Sequence, residues 1–342
     1  MSESWVRLVL PCKYYVAGDK LTGELFSSIY EKDTKIVLKV MGEEQVSIDS
    51  PNSKTHQSAS IFTSYKEISD PSSPFLSLSP SSHLKSVFPF TFHIPDYAPA
   101  SFHFLDTDSL NNVVSAEVFY ILEAELYYSG EILTKDTIEF TVYSKNYKEA
   151  FGKSSNSSTT RLKSCCCVSR GRSYISIELL GESEDNSERK FEVFIESANN
   201  KRLHSVIIQV VCDINLSVQD KNLFFRKVVN RKVVTPSILA FTTSGEKLNF
   251  GYGAKVESEL IGPNVSTNKA KFFSCRYNIQ ALAMYNIGLH STESECLLPL
   301  LVNPVPVINE TPSFPSDWSA ADHYFETPKV SSGSSYNTIS DD

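Results

Sequence analysis

Tyr120-Ile121-Leu122-Glu123-Ala124 and Tyr277-Asn278-Ile279-Gln280-Ala281 spell the same Tyr-x-aliphatic-x-Ala pattern twice, each time inside a long alternating stretch. Upstream of the first stands Ile36-Val37-Leu38-Lys39-Val40. Upstream of the second stands Val206-Ile207-Ile208-Gln209-Val210. The same two signals in the same order, one set per half, predict a duplicated β domain. The chain has 342 residues, enough for two units that each bury a core.

Working outward from these stretches, period-two alternation dominates. Ile36, Leu38 and Val40 share one strand face, with Lys35 and Lys39 on the other. Val118, Tyr120, Leu122, Ala124 and Leu126 alternate with Glu117, Glu123 and Glu125, and Ile138, Phe140 and Val142 alternate with Thr137, Glu139 and Thr141. A strand with one apolar and one charged face belongs to an antiparallel sheet packed on one side. Two such sheets must face each other to hide their apolar sides. The prediction is an all-β chain of two tandem β-sandwiches.

Gly18-Asp19 reads as a hairpin turn between Tyr14-Tyr15-Val16 and Leu21-Thr22-Gly23-Glu24-Leu25. Residues 49–86, rich in Ser and Pro, break the alternation and predict a long mobile loop, with a short strand around Ile61, Phe62 and Tyr65. The prolines of Phe88-Pro89-Phe90-Thr91-Phe92-His93-Ile94-Pro95 put that strand at a sheet edge or end, because proline lacks a ladder N–H. The polar stretch around Ser154-Ser155-Asn156-Ser157-Ser158 reads as a linker. Tyr174 to Leu179, Phe191 to Ile195, Val206 to Ile214 and Leu297 to Leu301 carry the strands of the second half. The expected division is a first domain at 1–148, a linker at 149–169, a second domain at 170–307 and a disordered tail at 308–342 rich in Pro, Ser and acid.

Phe and Tyr are abundant (21 and 16) while Met and Trp are scarce (3 and 2), a balance that favours strands over helices. The net charge of −8 argues against nucleic acid as the main partner, since phosphate binding needs a basic surface. The start, Met1-Ser2-Glu3-Ser4-Trp5, lacks the charged and apolar regions of a secretory signal, and no apolar run reaches the length of a membrane span. Seven cysteines, three of them consecutive, do not form a secreted disulfide framework. The expected compartment is the cytoplasm.

Several of these stretches resemble a known family. Gly18-Asp19-x-Leu21-x-Gly23-x-Leu25, followed by the strand from Ile36 to Gly42, resembles the opening of the arrestin N-terminal domain. Phe88-Pro89-Phe90-x-Phe92-x-Ile94-Pro95, then Pro99-x-Ser101-Phe102, is similar to a signature of α-arrestins, the arrestin-domain-containing trafficking adaptors. Phe194 to Asn200 with Val206-Ile207-Ile208, and the strand at Tyr277, resemble the family's C-terminal domain. The resemblance covers roughly residues 5–307. It implies two immunoglobulin-like sandwiches joined by a short hinge. The implied role is a cytoplasmic adaptor, peripherally associated with plasma membrane or endosomes, that links membrane-cargo tails to endocytic, ubiquitin-ligase or sorting machinery. A structural subunit of a retromer-type coat complex is the alternative. The chain departs from the family twice. Pro312, Pro315 and Trp318 do not reproduce the Pro-Pro-x-Tyr of the ligase adaptors, and Thr22 stands before Gly23 where receptor-binding arrestins carry an acidic switch residue.

No Gly-x-Ser-x-Gly, phosphate-cradling glycine loop or His-Glu-x-x-His is present, so no catalytic residue, metal ligand or cofactor site is assigned. His93 and His103 read as surface or packed residues. Cys165, Cys166 and Cys167, flanked by Lys163, Arg170 and Arg172, are a candidate for S-acylation, weighed against a plain linker-to-strand junction. Lys221, Arg226, Lys227, Arg231 and Lys232 form a basic run that could meet acidic phospholipids or an acidic cargo tail; alternating charges on an exposed strand are the other reading. Tyr336 and Ile339 fit a Tyr-x-x-aliphatic sorting form, set against plain solvated tail. Finally, a sandwich edge offers unpaired N–H and C=O groups to an extended peptide, and Trp5 to Leu10 is the candidate neighbour of such a site.

Overall fold

The computed structural model describes residues 5–29, 34–68, 84–145, 155–163, 169–182, 188–197, 202–234, 248–255, 268–287 and 290–300. Among them the regular structure is all strand, arranged in four sheets. The first sheet orders β1 (Trp5–Val9), β3 (Lys20–Ile29) and β6 (Leu84–His93) as β1-β3-β6. The second runs through β2 (Tyr14–Val16), β9 (Glu131–Tyr143), β8 (Val113–Tyr128), β4 (Thr34–Ser50) and β5 (Ser53–Ile68) in that order, with β7 (Phe102–Thr107) also pairing β8. A third sheet holds β10 (Ser155–Lys163), β11 (Ser169–Glu182), β12 (Glu188–Ser197) and β15 (Leu248–Lys255) in that order. The fourth places β14 (Lys221–Val234), β13 (Arg202–Val218), β17 (Phe273–Ile287) and β16 (Asn268–Lys269) in sequence, with β18 (His290–Leu300) also on β17.

The repeated motif is repeated in pairing as well as in sequence. β4 lies antiparallel to β8 with Val40 opposite Leu122 and Gly42 opposite Tyr120. β13 lies antiparallel to β17 with Val210 opposite Ile279 and Cys212 opposite Tyr277. Both tyrosines are buried, as are Ile36, Leu38, Val40, Val206, Ile208 and Val210. Inward side chains from all four sheets, Leu21, Leu25, Ile36 and Leu122 as well as Ile175, Val193, Ile208 and Ile279, belong to one continuous apolar core. This is a sandwich-like arrangement, since each sheet buries one face.

Local chemistry accounts for particular positions. At Gly42 a Cβ would overlap the ring of Tyr120, and at Gly23 a Cβ would stand 2.6 Å from both the Phe90 ring and the Val9 carbonyl oxygen. Both glycines let an aromatic ring from the neighbouring strand lie directly on the backbone. Pro89 is exposed on β6, which ends its sheet, as the missing ladder N–H requires.

Three expectations change. Gly18-Asp19 does not close a hairpin: β2 pairs in parallel with β9, while β3 pairs with β1 and β6. The turn carries the chain from one sheet to the other. Gly18 takes φ +93°, and Asp19 closes the turn by donating its N–H to Val16 O and accepting from Val16 N–H. The expected loop at 49–86 contains a 16-residue strand, β5, paired along β4 from Ile36↔Ile68 to Ser50↔Ser53. Its composition concealed it: β5 sits at a sheet edge with both faces substantially wet, so Ser, Thr and Lys occur where alternation was sought. Residues 155–163, read as linker, form β10 on the edge of the third sheet, with Leu162 buried and Asn156 donating its side-chain amide to Leu297 O. Within the proposed linker, 149–154 and 164–168 lie outside the described residues, as do 69–83 and the expected tail at 308–342.

Candidate functional site

Glu44 breaks the rule that shapes its strand. Along β4 every second residue from Thr34 to Ile48 faces inward, and Glu44 occupies an inward position between Gly42 and Val46. It is 2% exposed. A buried carboxylate is costly unless donors replace its water. Here two backbone N–H groups from the second half do so: Phe272 N at 2.6 Å and Lys271 N at 2.9 Å. Burial pushes the Glu44 carboxyl above its usual range, and the N–H donors from the 271–273 segment pull it back only in part.

Around this clip the two halves are joined by further side chains. Phe102 stacks on Phe273 with ring centroids 4.2 Å apart, and Phe104 meets Phe225 edge-on at 5.1 Å. Lys227 pairs with Asp106 at 3.2 Å, and its ammonium lies 4.9 Å from the centre of the Phe104 ring. Gln219 N–H donates to the side-chain oxygen of Gln57 at 2.9 Å. The seam therefore takes β4, β5 and β7 from the first half, and the β13–β14 turn, β14 and the 270–273 segment from the second.

The basic run is distributed rather than gathered. On β14, Arg226 and Lys227 point to opposite sides: Lys227 into the seam, and Arg226 onto β13, where Asp213 accepts from its Nε at 2.6 Å and its Nη2 at 3.0 Å. Arg226 also lies 3.8 Å from Glu295. Lys221, Arg231 and Lys232 are exposed on the same strand. His93 and His103 are both exposed and stand on strands of different sheets. Cys165, Cys166, Cys167, Tyr336 and Ile339 lie outside the described residues.

The candidate edge at Trp5 to Leu10 is partly filled. Leu8 N–H, which points away from β3, donates to the Asp136 carboxylate of β9 at 2.7 Å. Among the described residues β5 and β14 end their sheets with no further strand beside them. Sequence reasoning missed Glu44 and Asp136. The signal for Glu44 was present: Ile36, Leu38, Val40, Gly42, Glu44, Val46 and Ile48 share one alternation, and one member is charged. Asp136 left no such signal, because nothing in one strand reports which sheet lies beside it.

No family model matches the chain, and no curated protein matches it.

Proposed function

We propose that the chain is an arrestin-like adaptor: two tandem immunoglobulin-like sandwiches that hold membrane-protein cargo tails against endocytic, ubiquitylation or sorting machinery, acting by binding and not by catalysis. The observation that carries the reading is the duplicated register. The same strand pair, with a tyrosine opposite the same position, occurs once in each half, and a seam of side chains docks the halves. A rigid pair of sandwiches presents strand edges and loops at fixed separation, which suits the simultaneous capture of two partners. The resemblance of residues 5–307 to α-arrestins supplies the cargo class, and fold alone does not. Extended peptides would add at open edges such as β5 or β14.

The test is proximity labelling of the full-length chain beside a variant truncated after Val307. Membrane receptors or transporters, recovered together with endocytic or ligase components, are the expected result. A small fixed set of coat subunits, unchanged by truncation, would place the chain in a retromer-type assembly and remove the adaptor reading.

A further inference from the structure

Beside the seam, on the face of the fourth sheet that carries Asp213 and Arg226, lies a cavity of about 330 Å³. Its wall includes Asn215, Asn222, Phe224, Lys269, Lys271 and Ser274. The register explains why these residues meet. Asn215 is opposite Phe224 on one side and Ser274 on the other, so the three form one row across the sheet, and Lys269 is opposite Ser274. The segment after Lys269 folds over the end of that row, held by Ser217 N–H to Phe272 O at 2.7 Å and Ala270 N–H to Phe273 O at 2.9 Å.

Two features of this wall face solvent. Lys269 and Lys271 are exposed and form no ion pair among the described residues, in a chain whose net charge is −8, and the Lys271 ammonium lies 5.1 Å from the centre of the Phe272 ring. Phe224 leaves 57% of its surface in solvent, with the Arg226 guanidinium 5.6 Å from its ring centre. Arg226 is already neutralised by Asp213, so the lysines are the available charges. Side-chain amides at Asn215 and Asn222 and the Ser274 hydroxyl supply neutral donors on the same wall.

We propose that this cavity binds a phosphotyrosine side chain presented by a partner peptide. Its volume falls within the range of small-ligand sites. Two ammonium groups and neutral donors match a phosphate dianion, and an exposed ring beside them matches an aromatic stem. Free phosphate or a lipid headgroup would use the lysines and leave Phe224 without a partner. The bound group would touch the segment whose Lys271 and Phe272 N–H groups hold Glu44, so occupancy is felt at the seam. The site stands whether or not the chain works in trafficking.

The experiment uses the full chain and fluorescence anisotropy with a labelled Ala-Ala-phosphotyrosine-Ala-Ala peptide. The same peptide with tyrosine or phosphoserine, and phosphatidylcholine vesicles doped with phosphatidylserine, serve as comparison arms. The phosphotyrosine peptide should bind best. Joint Lys269→Ala and Lys271→Ala substitution should weaken it roughly tenfold or more, and Phe224→Ala by several-fold. Peptide binding should also slow amide exchange over 269–274 in the unsubstituted chain, a readout that needs no variant to fold. Equal binding of the phosphoserine peptide, indifference to Phe224→Ala, vesicle binding without peptide binding, or unchanged exchange over 269–274 would each overturn the proposal.

Discussion

Replacing Glu44 tests the seam most directly. Glu44→Ala removes the acceptor for two N–H groups, one of which belongs to the buried Phe272. An unsatisfied buried donor costs about 1–3 kcal/mol, while Lys271 N–H is partly buried and recovers part of its loss from water. Relief of the buried charge offsets a share of this, leaving an expected loss of about 1–3 kcal/mol. Glu44→Gln keeps a carbonyl oxygen at nearly the same place and removes the charge, so it should fall within about 1 kcal/mol of the unsubstituted chain near neutral pH. The pH dependence fixes the sign. Because folding raises the Glu44 carboxyl above its ordinary range, the folded state holds its proton more tightly than the unfolded chain. The contribution of Glu44 is then fully present below the unfolded value and declines as pH rises through the raised folded one. Urea unfolding of both variants from acid to neutral pH should show the unsubstituted chain losing ground against Glu44→Gln as pH rises. A spin-label pair spanning the seam should show a broader distance distribution for Glu44→Ala. Equal stability of all three proteins, or a gap moving the opposite way with pH, would refute the clip.

Three further outcomes are expected. Tyr120→Phe strands the Pro99 carbonyl that its hydroxyl reaches at 2.5 Å, and should cost about 1–2 kcal/mol in urea unfolding; no loss would show that the carbonyl finds another donor. A double-mutant cycle on Lys227 and Asp106 should give a coupling of about 0.5–1 kcal/mol, weakening with salt, because both groups are only half-buried; zero coupling at low salt would leave the seam to its aromatic contacts and hydrogen bonds. Asp136→Ala should speed exchange of the Leu8 amide about tenfold or more, since that N–H loses its carboxylate acceptor; unchanged exchange would mean that Leu8 is shielded by something other than Asp136.

What was legible in the sequence was whatever obeys a period. β4, β8, β13 and β17 each bury one face along most of their length, so their alternation marks them as strands. β5 was legible only as a short strand around Ile61, Phe62 and Tyr65, and β10 not at all, because an edge strand has less to bury, and Ser and Thr satisfy it as well as Val or Ile. Gly18-Asp19 was recognised as a turn but assigned the wrong kind. A glycine at positive φ reports that the chain reverses locally, and says nothing of whether the two flanking strands stay in one sheet. The basic run was legible as charge but not as a surface. Consecutive residues of a strand face opposite ways, so Arg226 and Lys227 answer to Asp213 and Asp106 respectively.

The repeated strand pairing also bears on where the seam appears. Aligning the halves by register sets Ile36, Leu38, Val40, Gly42, Glu44, Val46 and Ile48 beside Val206, Ile208, Val210, Cys212, Ile214, Leu216 and Val218. The partner of Gly42 is Tyr120, whose ring covers the bare backbone and sends its hydroxyl to Pro99 O. The partner of Cys212 is Tyr277, and there the thiol lies 3.4 Å from that of Cys275, both buried. One register thus tolerates different fillings, because each tyrosine can settle against whatever small residue stands opposite. Glu44 is a departure of another kind. Its counterpart, Ile214, is a fully buried apolar residue, which is what the position wants when a sheet answers only to its own core. A carboxylate there gains nothing within the first half and becomes tolerable only when donors arrive from outside it. Lys271 and Phe272 are those donors, and they belong to the other half. The position at which one half gives up an apolar residue is therefore one of those at which the two halves are held together.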